Sequence, residues 1–218
     1  MQVLIIGGTG KTGRELILQA LERAHIVTVL ARNPGKLTIK HDRLIVVKGD
    51  VLDPGNLENA IRGQDAVLSA LGHKKWFGRN TILSEGTKNI LTAMQKQQVS
   101  RFICITSLGI NDRKYRMGLY YTLFVIPFLL SFYFMDKARQ EKLIRNSPLN
   151  WTIIRPGHFL PRRIVRIFRE KRLGKYRTGE RIGNYVFTPV ISRADVAHFM
   201  LEQLGSDQYL HKTPGIAY

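Results

Sequence analysis

Val3-Leu4-Ile5-Ile6-Gly7-Gly8-Thr9-Gly10-Lys11-Thr12-Gly13 decides how the chain is read. Its four apolar residues make the short run expected of a buried parallel strand. Beyond the glycines, Leu16, Ile17, Ala20 and Leu21 recur at helical spacing, so the order is strand, glycine loop, helix. A bend this tight, lying close to a phosphate, needs residues without Cβ. The helix behind it points free N–H groups and the positive end of its dipole at the anion. Gly8-x-Gly10-x-x-Gly13 and Gly7-x-x-Gly10-x-x-Gly13 both fit, and between a first strand and a first helix such a triplet marks a dinucleotide site. Gly10-Lys11-Thr12 also resembles the end of a P-loop. The first glycine of that pattern falls on Ile5, so a nucleoside triphosphatase of that type is rejected.

Working outward, His25-Ile26-Val27-Thr28-Val29-Leu30-Ala31 predicts a second strand ending in the turn Arg32-Asn33-Pro34. An acid here would bind the ribose 2′-hydroxyl of NAD, whereas an arginine suits the 2′-phosphate of NADP. Arg32, with Lys36 close behind and no acid between, points to NADP(H); the alternative is a pair of solvated surface cations. Leu44-Ile45-Val46-Val47 predicts a third buried strand. Beyond it, Asp50 is assigned to an adenine amino group and Asp53 to capping the helix that carries Leu57, Ala60 and Ile61, although either acid suits either role. Asp65 to Ser69 predicts strand four, and small residues in its exit loop, Ala70-Leu71-Gly72, let the backbone lie close under the cofactor. A long helix follows with Ile82, Thr87, Ile90, Leu91 and Met94 inward, then strand five, Arg101 to Thr106, ending at Ser107-Leu108-Gly109. Strands alternating with helices predict an α/β fold, a doubly wound parallel sheet whose ligand crevice lies at the strands' carboxyl ends.

The 218 residues, 44% of them apolar, suit one sizeable domain. Cys104 is the single cysteine, which excludes an intrachain disulfide, and its apolar neighbours predict a buried, inert thiol. The chain enters a strand almost at once, without a basic n-region, and reads as cytoplasmic. A net charge of +18 favours acidic partners: a phosphorylated cofactor, an acidic substrate, an anionic membrane face or nucleic acid. No nucleic-acid-binding motif accompanies it, so nucleic acid is set aside. The histidines at 25, 41, 73, 158, 198 and 211 show no metal-ligand spacing, and neither C-x-x-C nor G-x-S-x-G occurs; no metal site and no hydrolase elbow are expected.

Residues 118–135, GLYYTLFVIPFLLSFYFM, carry no charge over eighteen positions, long enough for a membrane span. Spanning would strand the next sheet element, Trp151-Thr152-Ile153-Ile154, across the membrane from the first five, and Pro127 breaks any single helix. An apolar lid, a homodimer face, contact with an anionic membrane surface and ordinary core remain. Tyr133-x-x-x-Lys137 opens the following helix, which runs to Ser147-Pro148. One turn places the phenol and ammonium on one face, where the cation favours the phenolate and improves the tyrosine as a proton donor or acceptor. Strand six ends at Arg155-Pro156-Gly157-His158, a loop placed to flank a nicotinamide; His158 faces substrate or is a satisfied loop histidine. Residues 161–181 hold nine Lys or Arg and two Glu interleaved with Ile164, Val165, Ile167 and Phe168, which predicts a basic amphipathic helix. Tyr185-Val186-Phe187 predicts a short strand, and Ser192-Arg193-Ala194-Asp195 a capping box opening a last helix through Leu204.

Together GGTGKTG, Ala31-Arg32-Asn33, Gly49-Asp50, Thr106-Ser107, Lys137, Trp151 to Gly157 and Ser192 to Ala197 resemble the atypical short-chain dehydrogenase/reductases. The branch they look most like is the NmrA-like NAD(P)H-binding proteins, which include flavin and biliverdin-IXβ reductases. The resemblance covers essentially the whole chain. It implies a single Rossmann-like domain over 1–218, with 111–135 and 159–190 as substrate-side insertions. With the residue reading, it places NADP(H) along Gly7, Thr9, Gly10, Lys11, Thr12, Gly13, Arg32, Lys36, Asp50, Val51, Ala70, Leu71, Gly72, Thr106, Ser107, Lys137, Pro156, Gly157 and His158. By the same analogy Lys137 meets the nicotinamide ribose and Ser107 and Tyr133 stand near the substrate, which makes Tyr133, Lys137 and Ser107 the expected catalytic groups. The long apolar segment before Lys137 departs from the branch, so the acceptor stays open among a flavin, tetrapyrrole, quinone or carbonyl compound. Two functions follow: an NADPH-dependent oxidoreductase acting on a planar, acidic small molecule, or an NADP(H)-binding redox-sensing or assembly protein without turnover.

Overall fold

The computed structural model describes residues 1–72, 81–110, 118, 120, 123–125, 130–160, 164, 173–180, 182 and 188–218. At its centre is β1 (Gln2–Ile6), flanked in parallel by β2 (Ile26–Ala31) on one side and β4 (Ala66–Ser69) on the other. β3 (Leu44–Lys48) extends the sheet beyond β2, and β5 (Arg101–Ile105) and β6 (Asn150–Pro156) extend it beyond β4, all in parallel. β10 (Gly215–Ala217) joins β6 in parallel, and β8 (Arg177–Gly179) closes that edge antiparallel, giving the order β3-β2-β1-β4-β5-β6-β10-β8. β7 (His158–Phe159) and β9 (Val190–Ile191) form a separate parallel pair.

Alternation along β1 builds two cores, because successive side chains of a strand point to opposite faces. Val3 and Ile5 pack with Leu16 and Ile17 of α1 (Lys11–Glu22) and with Val196 and Met200 of α5 (Arg193–Glu202). Leu4 and Ile6 pack with Leu57 and Ile61 of α2 (Pro54–Ile61), Ile90 and Met94 of α3 (Ile82–Lys96) and Ile144 of α4 (Ser131–Arg145). The sheet is thus doubly wound, and its crossovers bring Gly7, Arg32, Ala70 and Thr106 to one edge.

Three expectations need correction. β3 is not buried: it lies at the sheet's edge with Ile45 52% exposed, because an apolar run reads alike whether one neighbour or two cover it. The inner face of α3 carries Leu83 rather than Ile82. The tail of the expected basic helix is a turn leading into β8, whose backbone is claimed by β10. The rest of 161–181 apart from Ile164 and 173–180, and the strand expected at 185–187, lie outside the described residues.

Candidate active site

The glycine loop does two jobs with different residues. Gly7 has φ +81, and a Cβ there would lie 2.5 Å from the Ala70 carbonyl oxygen. A Cβ on Gly13 would lie 2.2 Å from the Gly7 oxygen, so this glycine lets α1 pack onto the loop. Gly10 is exposed, and its Cβ would meet only the Gly7 oxygen, at 3.1 Å. It is the N-cap of α1, whose first turn has neither a side-chain cap nor an acid. The helix therefore presents uncapped N–H groups and a positive dipole end to the crevice, with Lys11 exposed and Thr9 and Thr12 half-buried beside them. These residues fit a pyrophosphate.

Past β2, Arg32 is exposed and lines an open cleft of about 360 Å³ with Lys48, Gly49, Asp50 and Asn56. Lys36 ends a 3₁₀ turn, Pro34–Lys36, and its carbonyl accepts from the Arg14 guanidinium at 2.5 Å. The two acids separate here. Asp53 caps α2, its Oδ1 accepting from Gly55 N at 2.9 Å and Asn56 N at 3.2 Å, while Asp50 accepts from Leu52 N at 3.1 Å and faces the cleft. Sequence reading missed Lys48 and Arg14. Lys48 ends β3 beside the cleft, and Arg14, one turn past Gly10, ties α1 to the 34–36 turn. Val51 is buried, Ala70 and Leu71 half-buried and Gly72 exposed, with Ala70 N bonded to the Ile6 carbonyl at 2.9 Å.

The other wall is α4, and its inner face is polar. Asp136, Lys137, Gln140 and Glu141 are all buried. Lys137 is 2% exposed; its Nζ lies 3.5 Å from the Ile105 carbonyl at the end of β5 and over the Tyr133 ring, 5.3 Å from the centroid. One turn on, Glu141 Oε1 accepts from Thr106 Oγ1 at 2.7 Å and Arg155 Nε at 2.9 Å, and Oε2 accepts from the second arm of the guanidinium at 2.5 Å. A fork of this kind fixes geometry as well as charge. It holds Thr106 and hence the start of the Ser107 loop, while Leu108 N donates to the Pro156 carbonyl at 3.1 Å. Asp136 caps α3 from outside, accepting from Leu83 N at 3.0 Å and from Ser84 N and Oγ at 3.3 and 2.5 Å. Gln140 Nε2 donates to Thr87 Oγ1 at 2.9 Å. Sequence reading missed Asp136 and the Glu141–Arg155 pair. The available signal was spacing, since Tyr133, Lys137 and Glu141 stand at i, i+4 and i+8.

Residues 7–207 match the sequence model of the NAD(P)H-binding family. The chain belongs to that family. An uncharacterised chloroplastic protein of Arabidopsis thaliana is 32% identical over 166 residues, 72% of this chain and 58% of its own length. A photosystem II assembly factor of Synechocystis is 27% identical over 224 residues, 98% of this chain and 61% of its own length. The chain thus spans about three-fifths of these two curated relatives. Among solved structures, a Veillonella parvula short-chain dehydrogenase/reductase in complex with NADP superposes with TM-score 0.78 at 18% identity, covering 100% of this chain and 94% of that one. An anaerobilin reductase of Escherichia coli superposes with TM-score 0.77 at 20% identity, covering 100% and 97%. These likenesses establish the fold, a Rossmann-type NAD(P)-binding sheet.

In this NAD(P)H-binding protein the loop after β6 is built for packing. Pro156 and Gly157 are buried, and a Cβ on Gly157 would lie 2.5 Å from the Pro189 oxygen. His158 is exposed in β7 and its N–H donates to the Pro189 carbonyl at 2.7 Å. Partial burial, then the Arg193 guanidinium, lower the pKa of its ring and so favour the neutral imidazole. Burial pushes the Cys104 thiol up to about 12, which leaves it inert. No cluster of metal-ligating side chains occurs among the described residues.

Proposed function

We propose that this chain is an NADPH-dependent oxidoreductase of the cytoplasm, passing a hydride to a flavin, tetrapyrrole, quinone or carbonyl acceptor. One observation carries the reading: Lys137 is held against the carboxyl end of β5, on the same sheet edge as the uncapped N-terminus of α1. The cofactor supplies the hydride when bound; the protein binds, orients and keeps out water. Gly7 to Gly13 and the α1 N–H groups take the pyrophosphate, and Arg32 with Lys48 takes the 2′-phosphate. Asp50 faces the adenine, and Val51, the 70–72 loop, Thr106 and the 156–158 loop border the dinucleotide. Lys137 holds the nicotinamide ribose, Ser107 hydrogen-bonds the acceptor, and Tyr133 moves its proton. The 111–135 and 159–190 insertions to the single domain form the acceptor side, where a chain of net charge +18 attracts acidic groups. Segment 118–135 is the place of contact with a bilayer or a second copy. A second reading, binding of NADP(H) without turnover in assembly, is favoured by the match over 98% of the chain to an assembly factor.

Turnover separates the two. Mixing the protein with NADPH and, in turn, FMN, biliverdin, a quinone and a carbonyl compound should oxidise NADPH with at least one of them. Tight NADPH binding with no acceptor consumed would favour the assembly reading. Cofactor choice is a separate expectation. Arg32→Ala should remove most of the preference for NADPH over NADH, about tenfold to a hundredfold for a charge-assisted bidentate contact. Equal dissociation constants for the two cofactors in the unaltered protein would sink it.

A further inference from the structure

α4 is built inside out. Its polar residues Asp136, Lys137, Gln140 and Glu141 are buried, whereas Phe132 and Met135 are 43% and 52% exposed. The outward stripe runs Phe132, Met135, Arg139, Lys142, spaced three, four and three residues apart and so along one face. Its upper half is apolar. Its lower half is basic and borders an open cleft of about 420 Å³ lined by Ala138, Arg139, Lys142, Arg145 and Asn146. Both acids of α4 are buried and bonded. Glu141 also lies 3.5 Å from the half-exposed Arg145, so the outward cations of the stripe are Arg139 and Lys142. Just upstream, in a stretch without charge, Tyr120, Leu123 and Phe124 are also exposed, Phe124 at 56%.

We propose that this outer face of α4 is a docking surface for an anionic lipid bilayer. Met135 and Arg139 are separated by about 6 Å of helix rise and Phe132 and Lys142 by about 15 Å. A tilted helix therefore sets its first turn in the acyl boundary with its last turns at headgroup level. That depth matches the roughly 5–10 Å to which interfacial apolar faces enter a membrane. Charge decides the occupant. A second copy docked face to face with its helix parallel would bring Arg139 and Lys142 against their own images, and docked antiparallel would bury them against apolar Phe132 and Met135, in either case between two chains of +18 each. An acidic protein segment would satisfy the cations and leave Phe132, Met135 and Phe124 without apolar cover. Anionic phospholipid satisfies both halves. No helix among the described residues is long and apolar enough to cross a membrane.

This sharpens the contact assigned above to 118–135 and does not depend on turnover. The test is co-flotation of the full chain with vesicles of phosphatidylcholine containing phosphatidylglycerol, against phosphatidylcholine alone. The protein should float only with the anionic vesicles. It should release as salt shortens the screening length from about 10 Å to about 3 Å. Arg139→Ser with Lys142→Ser should weaken partition about thirtyfold, near fivefold for each cation. Phe132→Ser with Met135→Ser should weaken it about tenfold or more, by removing inserted apolar area. NADPH affinity, unchanged in both variants, shows that they fold. Three results overturn the proposal: equal or no binding to the two vesicle types by the unaltered chain, full binding by the charge variant, or a dimer in sedimentation velocity that Phe132→Ser with Met135→Ser dissolves.

Discussion

An Arg155→Ala variant is expected to lose about 3–5 kcal/mol of folding stability, a large share of the roughly 5–15 kcal/mol that holds a domain together. The cause is what the substitution leaves behind. Glu141 is fully buried, and without the guanidinium its carboxylate keeps Thr106 as a hydrogen-bond donor and Arg145, 3.5 Å away and partly in solvent, as a distant cation. Arg145 places the expected loss at the lower end of the range. Because the penalty belongs to the orphaned charge, adding Glu141→Leu to Arg155→Met should recover much of the stability lost by removing Arg155 alone. Urea unfolding of the two variants measures this, provided the slope with denaturant is unchanged. An Arg155→Ala midpoint indistinguishable from that of the unaltered protein would show that the buried pair carries no such weight.

The glycine loop gives the second large effect, and two of its positions should behave differently. In Gly13→Ala the new carbon would sit 2.2 Å from the Gly7 oxygen and 2.7 Å from the Gly8 Cα, both backbone atoms that no rotamer change can relieve. The loop and α1 must separate, so the thermal midpoint should fall and NADPH affinity with it, by about a hundredfold or more. Gly10→Val should behave otherwise. Gly10 is exposed with φ −77 and a single near contact, so the fold should melt near its usual temperature. The branched side chain still stands where the phosphate must come, and binding should be lost. NADPH titration beside a thermal melt distinguishes loss of site from loss of fold. Unchanged affinity in Gly10→Val would move the pyrophosphate elsewhere.

What the sequence made legible is local. The glycine loop, the Asp53 cap and the Ser192 cap each lie within a few residues, and their geometry appears where the spacing puts it, although Asp195 accepts from the Ser192 hydroxyl rather than returning to its N–H as in a full capping box. β3 was misjudged because Leu44 to Val47 carry no record of how many neighbours cover them. β10 escaped notice because Gly215-Ile216-Ala217 is three residues long and is a strand only through β6 and β8. The polar core of α4 was missed for a deeper reason. Hydrophobic periodicity reports which face is buried only when the buried face is apolar, and here Asp136, Gln140 and Glu141 find their partners 14 to 53 positions away. The choice between Asp50 and Asp53 was open in the sequence because both follow β3 and precede α2; the hydrogen bonds assign the cap of α2 to Asp53, while Asp50 accepts from Leu52 N.

A helix seated by grease can creep, since apolar contact is non-directional and one packing register resembles the next. α4 has no such latitude. A slip of one residue swings every side chain through about 100°, which would pull Asp136 off the end of α3 and Glu141 off Arg155 together. The helix is keyed in both angle and height, and Lys137 sits between the two keys. Traffic on the outer surface of α4 is therefore not absorbed by sliding. A push there reaches the crevice as displacement of one rigid piece, with the lysine carried along.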